Sequence, residues 1–261
     1  MCERTPASVL ETRGLSMRFG GHVAVDSVSA AFHAGTLTAI VGPNGAGKTT
    51  YFNLISGQLP PSAGAVLLDG AEITRLGVAA RAKKGIGRAF QLTNLFPNLS
   101  VHENVRLAVQ ARAGGGGNFC ARWSNRREWI ERADHFIKAA KLEVRRDAAA
   151  VALSHGDKRK LEVAIMMALE PHVFMFDEPT AGMSVDDVPV ILDLIHALKA
   201  VGGNTILLVE HKMDVVRRLA DRILVLHNGC LVADGAPADV IGSAIVQEAY
   251  LGVAAKEENL G

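Results

Sequence analysis

Apolar and polar residues alternate along the first stretch of the chain, roughly residues 8–32, with interruptions at Gly20-Gly21 and Asp26-Ser27. A period of two is typical of strands that turn one face to a core and the other to solvent. Further on, Ala65–Leu68 has the pattern of a short strand, and Asp69-Gly70 that of a turn. The alternation therefore predicts an antiparallel β-layer built mainly from the N-terminal part of the chain.

Three other runs are apolar on both sides of the chain: Leu37–Val41, Val173–Phe176 and Thr205–Val209. Strands of this kind are expected in the middle of a parallel sheet that helices cover on both faces. Helical periodicity separates these runs, for example over residues 190–198. We therefore expect an α/β fold with a mostly parallel sheet.

The stretch from about residue 91 to residue 159 has a helical pattern instead. Ser100 and Glu103 have the spacing of a capping box, which predicts a helix from about Val101. A second helix follows the Gly114–Gly117 loop, with one apolar face. Basic residues near that loop allow a contact with nucleic acid, although a solvated surface loop is favoured. This stretch is expected to form an inserted helical subdomain. The apolar face comprises Trp129, Ile130, Phe136, Ile137 and Ala140, and the basic residues are Arg122, Arg126 and Arg127.

The whole chain, residues 1–261, is predicted to be a single domain. Its core takes in about residues 1–90 and 160–236, on either side of the helical subdomain at about 91–159. The core ends in a β-hairpin that turns at Asn228-Gly229. A helical tail at about 237–261 completes the chain.

Charge and cysteine usage narrow the class of protein. The chain has 28 Lys and Arg against 27 Asp and Glu, so it lacks the basic excess of a dedicated nucleic-acid binder. Its three cysteines include no C-x-x-C pair, which disfavours both a disulfide framework and a zinc site. A reducing cytoplasm is the expected compartment. Since there is no signal-like N-terminus and no apolar run of about 18 residues, any action on a membrane is expected to go through a partner.

Eight residues between a predicted strand and a predicted helix fit the pattern G-x-x-x-x-G-K-S/T, the phosphate-binding P-loop. Glycines allow backbone N–H groups to turn toward an anion, and the following helix points its positive dipole end at the phosphates. Lys48 is expected to reach the β and γ phosphates, and the Thr49 hydroxyl to ligate Mg²⁺. A glycine-rich turn that binds nothing is the alternative, and the strand–helix context favours a nucleoside triphosphate site. The eight residues are Gly42, Pro43, Asn44, Gly45, Ala46, Gly47, Lys48 and Thr49.

Acidic and imidazole side chains follow two of the buried runs. Asp177 and Glu178 end one run, where a doubly wound sheet places its ligands. Two adjacent acids there require a cation or a solvent pocket, and Mg²⁺ meets that requirement in a Walker B motif. His211 follows the other run and is either structural or a sensor of the γ-phosphate.

Three further features leave alternatives open. Phe19 either stacks on an adenine ring or fills the core, and its own stretch favours the core. Ser154 and Asp157 have capping-box spacing, so the segment is either only a capped helix or a functional motif. Residues 211–214 are close to the guanine-reading motif N-K-x-D, but the first residue differs and no D-x-x-G precedes them. ATP is therefore favoured over GTP.

The order of these motifs resembles that of the ATP-binding-cassette (ABC) nucleotide-binding domains over nearly the whole chain. The resemblance rests on the P-loop, the Gln91 loop, the signature-like Leu153–Asp157, Asp177-Glu178 and His211. Four segments are similar to the ATPase subunits of branched-chain amino acid importers: residues 96–105, 161–164, 208–213 and 248–252. Urea and amide importers share much of this sequence and remain an alternative.

The resemblance implies that two such subunits sandwich two ATP molecules. Ser154 and Gly156 would contact the ATP of the partner subunit, while Thr50 and the P-loop bind the chain's own nucleotide. Thr49 and Gln91 would ligate Mg²⁺, which Asp177 would hold through water. Glu178 would orient or deprotonate the attacking water, and His211 would hydrogen-bond the γ-phosphate. With this resemblance, adenine stacking becomes the favoured role for Phe19.

The family resemblance also implies partners and a location. The second ATPase subunit would be identical or similar, and permease subunits in the membrane would contact the region from Gln91 to Asn104. An extracytoplasmic solute-binding protein would act indirectly, with this chain peripheral on the inner face of the cell membrane and no nucleic acid bound. A soluble cassette ATPase acting on DNA or ribosomes and a non-hydrolysing scaffold are the alternatives from other classes. Three positions depart from the common family pattern: His155, Asp157 and Ser184.

Overall fold

Two β-sheets and the helices around them make up the part of the chain that the structure, a computed structural model, describes: residues 8–89, 95–114 and 127–243. The strands and helices follow one another along the chain in the order given next. They are β1 Ser8–Phe19, β2 His22–His33, β3 Leu37–Val41, α1 Lys48–Ser56, β4 Ala63–Leu68, β5 Ala71–Glu72, α2 Val78–Lys83, β6 Ile86–Ala89, α3 Val101–Arg112, α4 Arg127–Ala139, α5 His155–Leu169, β7 Val173–Asp177, α6 Val188–Ala200, β8 Thr205–Val209, α7 Met213–Leu219, β9 Arg222–His227, β10 Cys230–Gly235 and α8 Pro237–Ile241.

The smaller sheet is antiparallel and has the strand order β2-β1-β4-β5. Its turns fall at the predicted breaks, since Gly20, Asp69 and Gly70 all have positive φ angles. The interruption expected at Asp26-Ser27 is a distortion within β2, where Ser27 has a φ of 52° and the register with β1 shifts. The predicted antiparallel β-layer is confirmed.

The larger sheet has the order β10-β9-β3-β8-β7-β6, with parallel pairing from β9 to β6 and β10 antiparallel at one edge. Every residue of β3, β7 and β8 is buried, as their apolar runs predicted. The hairpin between β9 and β10 turns at Asn228 and Gly229, both with positive φ. This turn lies against the P-loop, because the Gly229 N–H donates to the Ala46 carbonyl at 3.1 Å. The α/β fold class is confirmed.

Helices α3, α4 and α5 pack together beside the larger sheet. The capping box is present, because Ser100 Oγ accepts from the Glu103 N–H and Glu103 Oε2 accepts from the Ser100 N–H. Helix α5 is continuous across the boundary expected near residue 160, and the division of the chain into core and subdomain remains a prediction. The predicted tail begins as α8, and residues 244–261 lie outside the described part. Among the described helices, none has the length and apolar character that crossing a membrane requires.

Arg81 anchors the C-terminal end of α1. Its guanidinium donates to the carbonyls of Leu54 (2.8 Å), Ile55 (2.5 Å), Thr74 (2.8 Å) and Leu76 (2.8 Å). Burial lowers the pKa of Arg81 to about 10. A cation is favourable here because the carbonyl end of a helix dipole is negative. Arg81 therefore holds in place the helix whose other end carries the P-loop.

We expect Arg81→Met to lower the free energy of unfolding by about 3 kcal/mol, because buried carbonyl groups lose their donor. Urea unfolding followed by circular dichroism measures the change. Arg218→Met is the matched control, since Arg218 makes an exposed ion pair with Asp193. It should change stability by no more than about 0.5 kcal/mol. Equal losses in the two variants would contradict the anchoring role.

Candidate active site

The loop between β3 and α1 takes a tight turn that requires glycine at two positions. Gly42 and Gly47 have φ angles of 152° and 96°. A Cβ atom would lie 2.1 Å from the Leu226 carbonyl oxygen at Gly42, and 2.3 Å from that of Ala24 at Gly47. Gly47 is the N-cap of α1 and supplies no side-chain cap. The first N–H groups of α1 are therefore suited to an anion.

Lys48 lies over this loop with its side chain largely buried. Its Nζ donates to the carbonyls of Gly42 at 2.7 Å and Pro43 at 2.8 Å. Burial lowers the pKa of Lys48, and the negative charges of Glu178 and Asp177 act in the opposite direction. The loop thus presents a cation and backbone N–H groups to the same region.

Glu178 follows β7 in an unusual backbone conformation. Its φ is 49°, in the left-handed region, which costs about 1–2 kcal/mol for a residue with a side chain. The Glu178 N–H donates to the Val209 carbonyl at 2.9 Å. Its Oε1 lies 2.8 Å from Nε2 of His211, and the ring nitrogen is the donor because an ionised carboxylate only accepts. Strain of this kind concentrates at functional sites.

Asp177 pairs with a cation from within the chain. Arg88 donates to Asp177 Oδ2 at 2.8 Å, and both side chains are buried. Burial raises the pKa of Asp177, although the charge of Arg88 works against that shift. Arg88 also contacts Asn53 and Ser56 of α1. From the sequence, the expected partner of these acids was a cation, assigned as Mg²⁺, or a solvent pocket, and Arg88 was not recognised as that cation. A charged residue within the short strand β6 was the available signal.

A cleft of about 350 Å³ brings most of the predicted site residues together. Five predicted site residues do not line it, and Gln91 lies outside the described residues. The five are Gly42, Pro43, Ser154, Gly156 and Asp177. Phe19 is at the mouth with 49% of its surface exposed, so the interpretation of Phe19 as a core residue is wrong. The lining residues are Phe19, His22, Ala24, Asn44, Gly45, Ala46, Gly47, Lys48, Thr49, Thr50, Glu178 and His211.

The start of α5 is bound to the segment that follows Glu178. Ser154 Oγ accepts from the Asp157 N–H at 3.1 Å, so the capped helix is present. A Cβ atom at Gly156 would lie 2.3 Å from Asp187 Oδ2, so a larger residue there would have to displace the Asp187 side chain. The other Asp187 oxygen lies 2.6 Å from Nζ of Lys160. These contacts hold the signature-like segment close to residues 184–187.

The three departures from the family pattern belong to this same cluster. Ser184 Oγ donates to Asp187 Oδ2 at 2.8 Å, and Asp157 Oδ1 accepts from Lys160 at 3.1 Å. His155 lies beside Gly182, where a Cβ atom would be 3.3 Å from its Nε2. The hydrogen bonds from Lys160 and Ser184 lower the pKa of Asp187. Asp157 and Ser184 are therefore linked through the ion pair of Lys160 and Asp187.

A second cleft, of about 390 Å³, lies at the edge of the helical region. Three of its lining side chains are Glu128, Glu131 and Glu170. A negative lining repels a polyphosphate, whereas the P-loop cleft offers Lys48 and the start of a helix. The P-loop cleft is therefore the better candidate for a nucleotide.

The donor set near the P-loop fits a magnesium ion that arrives with phosphate. Within the described ranges, no three His, Cys, Asp or Glu side chains are close enough to form a metal site of their own. Mg²⁺ commonly uses one or two carboxylates together with substrate phosphates and water. Asp177 and the Thr49 hydroxyl offer oxygen ligands of this kind.

Comparison with known proteins identifies the class. Residues 25–181 match the family model described as ABC transporter. The chain belongs to the ABC transporter family, and it is an ATP-binding cassette that hydrolyses ATP.

Its curated relatives are transport ATP-binding proteins. The high-affinity branched-chain amino acid transport ATP-binding protein BraF of Pseudomonas aeruginosa is 36% identical over 253 residues, covering 94% of this chain and 98% of BraF. LivG of Escherichia coli K12, which has the same description, is 36% identical over 251 residues with the same coverage. The lipopolysaccharide export system ATP-binding protein LptB of that strain is 31% identical over 245 residues, covering 94% of this chain and 98% of LptB.

Solved structures of cassettes share the fold. The ADP conformation of an ATP-binding cassette of an ABC transporter has a TM-score of 0.80 at 29% identity, covering 95% of this chain and all of the other. A dimeric cassette in a post-hydrolysis state, bound to ADP and Pi, has a TM-score of 0.75 at 26% identity, covering 87% and 98%. ADP is thus the ligand in both of these neighbours.

We expect Phe19→Ala to weaken ATP binding by about tenfold, because stacking of a base on an aromatic ring contributes about 1–3 kcal/mol. Stability should change by less than about 1 kcal/mol, since the ring is half exposed. Titration with a fluorescent ATP analogue and urea unfolding measure the two quantities. Phe19→Tyr is the control that keeps the ring. Unchanged affinity combined with a loss near 3 kcal/mol would instead indicate a packing role.

Proposed function

We propose that this chain is the ATP-hydrolysing subunit of an importer that takes up branched-chain amino acids through separate membrane subunits. The observation that carries the catalytic part is the Glu178–His211 pair, 2.8 Å apart, in the same cleft as Lys48. The descriptions and near full-length coverage of BraF and LivG support the substrate class.

In the proposed mechanism, the chain binds, orients and neutralises charge. The N–H groups at the start of α1 and Lys48 hold the phosphates, while Phe19 stacks on the adenine. Thr49, Gln91 and Asp177, the last through water, would hold Mg²⁺, which neutralises charge on the phosphates.

The hydrolytic step is assigned to the pair of side chains at the ends of β7 and β8. Glu178 orients the attacking water or takes its proton. His211 donates its one N–H, on Nε2, to the Glu178 carboxylate at 2.8 Å in the structure, which fixes the direction of that carboxylate. With ATP bound, His211 would donate the same N–H to the γ-phosphate instead. Both side chains are partly exposed, which leaves them accessible to nucleotide and water.

A second ATPase subunit, identical or similar, completes each site in this proposal. Ser154 and Gly156 are absent from the lining of the P-loop cleft. Ser154 is exposed, which leaves its hydroxyl open to a nucleotide held by a partner, whereas Gly156 is buried. The dimeric structural neighbour supports this arrangement.

The remaining partners are membrane subunits and, indirectly, an extracytoplasmic solute-binding protein. The region from Gln91 to Asn104 is the proposed contact with the permease. Phe96 within it and Val151 outside it have exposed apolar side chains. The two exposed side chains lie on segments that are hydrogen-bonded to each other, because the Val151 N–H donates to the Pro97 carbonyl at 2.9 Å. We place the chain in the cytoplasm, peripheral on the inner face of the membrane, with no nucleic acid bound.

A urea or amide importer is the alternative that shares this mechanism, because the solute never contacts the ATPase subunit. The likeness to LptB shows that related cassettes also serve an export system. A soluble cassette ATPase is less well supported, since the charges are balanced at 28 basic against 27 acidic residues.

We expect Glu178→Gln to bind ATP normally, to hydrolyse it at least about 100-fold more slowly and to accumulate as a dimer with ATP and Mg²⁺. Removing the base blocks the reaction that opens the sandwich. Light scattering on a sizing column measures the mass, and turnover is measured by phosphate release. Lys48→Ala should lose nucleotide affinity and remain monomeric. Monomer alone in the Glu178→Gln sample at saturating ATP and Mg²⁺ would argue against the sandwich.

For the solute, we expect the chain to co-purify with membrane subunits that take up leucine, isoleucine or valine in vesicles. Uptake should require ATP inside and the solute-binding protein outside. The Glu178→Gln complex is the control for hydrolysis, and labelled urea and an amide are the competing solutes. Uptake restricted to urea or the amide would replace the amino acid assignment, and failure to recover any membrane subunit would contradict import.

A further inference from the structure

Glu210 is a buried carboxylate to which the sequence assigned no role. It follows β8 directly and is 2% exposed. A buried carboxylate is costly unless hydrogen bonds compensate for the lost water. Its oxygens accept from Thr180 Oγ1 at 2.6 Å and from the N–H groups of His211 at 2.9 Å and Lys212 at 3.2 Å. All three donors belong to the loops that carry Glu178 and His211.

One carboxylate oxygen fixes the backbone from which the His211 ring projects. Oε2 of Glu210 accepts both N–H groups immediately before α7. The N-cap of α7, Lys212, supplies no side-chain cap of its own. Because the His211 backbone is held from the preceding residue, the ring leaves the chain in a fixed direction.

The other oxygen reaches the turn that carries Glu178. Thr180 lies two residues after Glu178, and the Ala181 N–H donates to the Glu178 carbonyl at 3.1 Å. This turn contains the left-handed φ of Glu178, so it depends on surrounding contacts to persist. The hydrogen bond from the buried Thr180 hydroxyl to Glu210 is such a contact.

We propose that Glu210 is a positioning residue for ATP hydrolysis. It clamps the two loops so that His211 Nε2 stays within hydrogen-bond distance of Glu178 Oε1. Glu210 is not among the residues that line the P-loop cleft, so it acts through its neighbours. A carboxylate suits the task because it only accepts hydrogen bonds and its three partners all donate. The inference rests on the proposed function, in which Glu178 and His211 carry the hydrolytic step.

Glu210→Met removes both acceptor oxygens, and with them all three hydrogen bonds, while keeping a similar volume. We expect kcat to fall by about 100-fold, the loss that a small misplacement of reacting groups produces. KM for ATP should stay within about twofold, because most of the groups that bind ATP, on the P-loop and at Phe19, are not held by Glu210. Glu210→Gln should retain kcat within about threefold, since its amide oxygen still accepts and its NH₂ can donate to the Thr180 hydroxyl.

Thr180→Val removes only the link to the Glu178 turn, and we expect kcat to fall by about tenfold. Thr205→Val is the matched control at the opposite end of β8, where the buried hydroxyl donates to the His33 carbonyl at 3.2 Å. The control should lose comparable stability in thermal unfolding while keeping the wild-type kcat. If Glu210→Met does not fold, the comparison of Thr180→Val with Thr205→Val still tests the positioning role.

A double-mutant cycle separates positioning from a general loss of structure. In a His211→Ala background, Glu210→Met should lower kcat by only about tenfold instead of about 100-fold, because one of the two groups that it positions is absent and only the link to the Glu178 turn is still lost. Wild-type kcat in Thr180→Val, or an undiminished further loss in the His211→Ala background, would overturn the positioning role and leave the proposed function intact. Wild-type kcat in His211→Ala alone would overturn the catalytic role of that side chain, and the inference with it.

Discussion

The parallel pairing of β3, β8 and β7 is the interaction on which the site depends. Asp177 lies opposite Val209, and Val209 lies opposite Ile40, so the three strands end at one edge of the sheet. The P-loop, the two acids and His211 all emerge there because parallel strands share a direction. A slip in register would move the groups at the end of one strand by one residue relative to those of its neighbours. Close packing of all three strands opposes such a slip, because each side chain would move to the opposite buried face and lose its packing partners.

Charges gathered at one edge of a buried sheet require partners, and the chain supplies most of them itself. Arg88 forms an ion pair with Asp177, and Lys48 donates hydrogen bonds to carbonyls of the P-loop. Glu210 is satisfied by neutral donors of the adjacent loops. Removing one partner from such a set leaves a buried charge uncompensated, which is more costly than the bond itself is stabilising. The charged groups of the site are therefore held in place by partners within the chain, in keeping with catalysis by fixed charges.

The segment between β7 and α6, residues 178–187, connects two surfaces with different proposed roles. On one side it carries Glu178, which faces the P-loop cleft. On the other, Asp187 binds Lys160 and lies against Gly156 at the start of α5. The proposed contact with a partner's nucleotide is thus joined by direct bonds to the segment that carries the proposed base. A movement at the start of α5 can therefore reach Glu178 through the contacts of Asp187 and the short segment between the two residues.

Local patterns in the sequence determined the strands, the capping box at Ser100, the hairpin turn and the P-loop, because these features depend on residues close together in the chain. The family order of motifs also indicated which strand ends carry chemistry. Only the tertiary structure decided that Phe19 is exposed at the cleft and that Arg88, not a ligand alone, compensates Asp177. Arg88 and Asp177 are 89 positions apart, and Thr180 and Glu210 are 30 apart. Such pairs carry no periodic signal, since their contact depends on the strand order of the folded sheet.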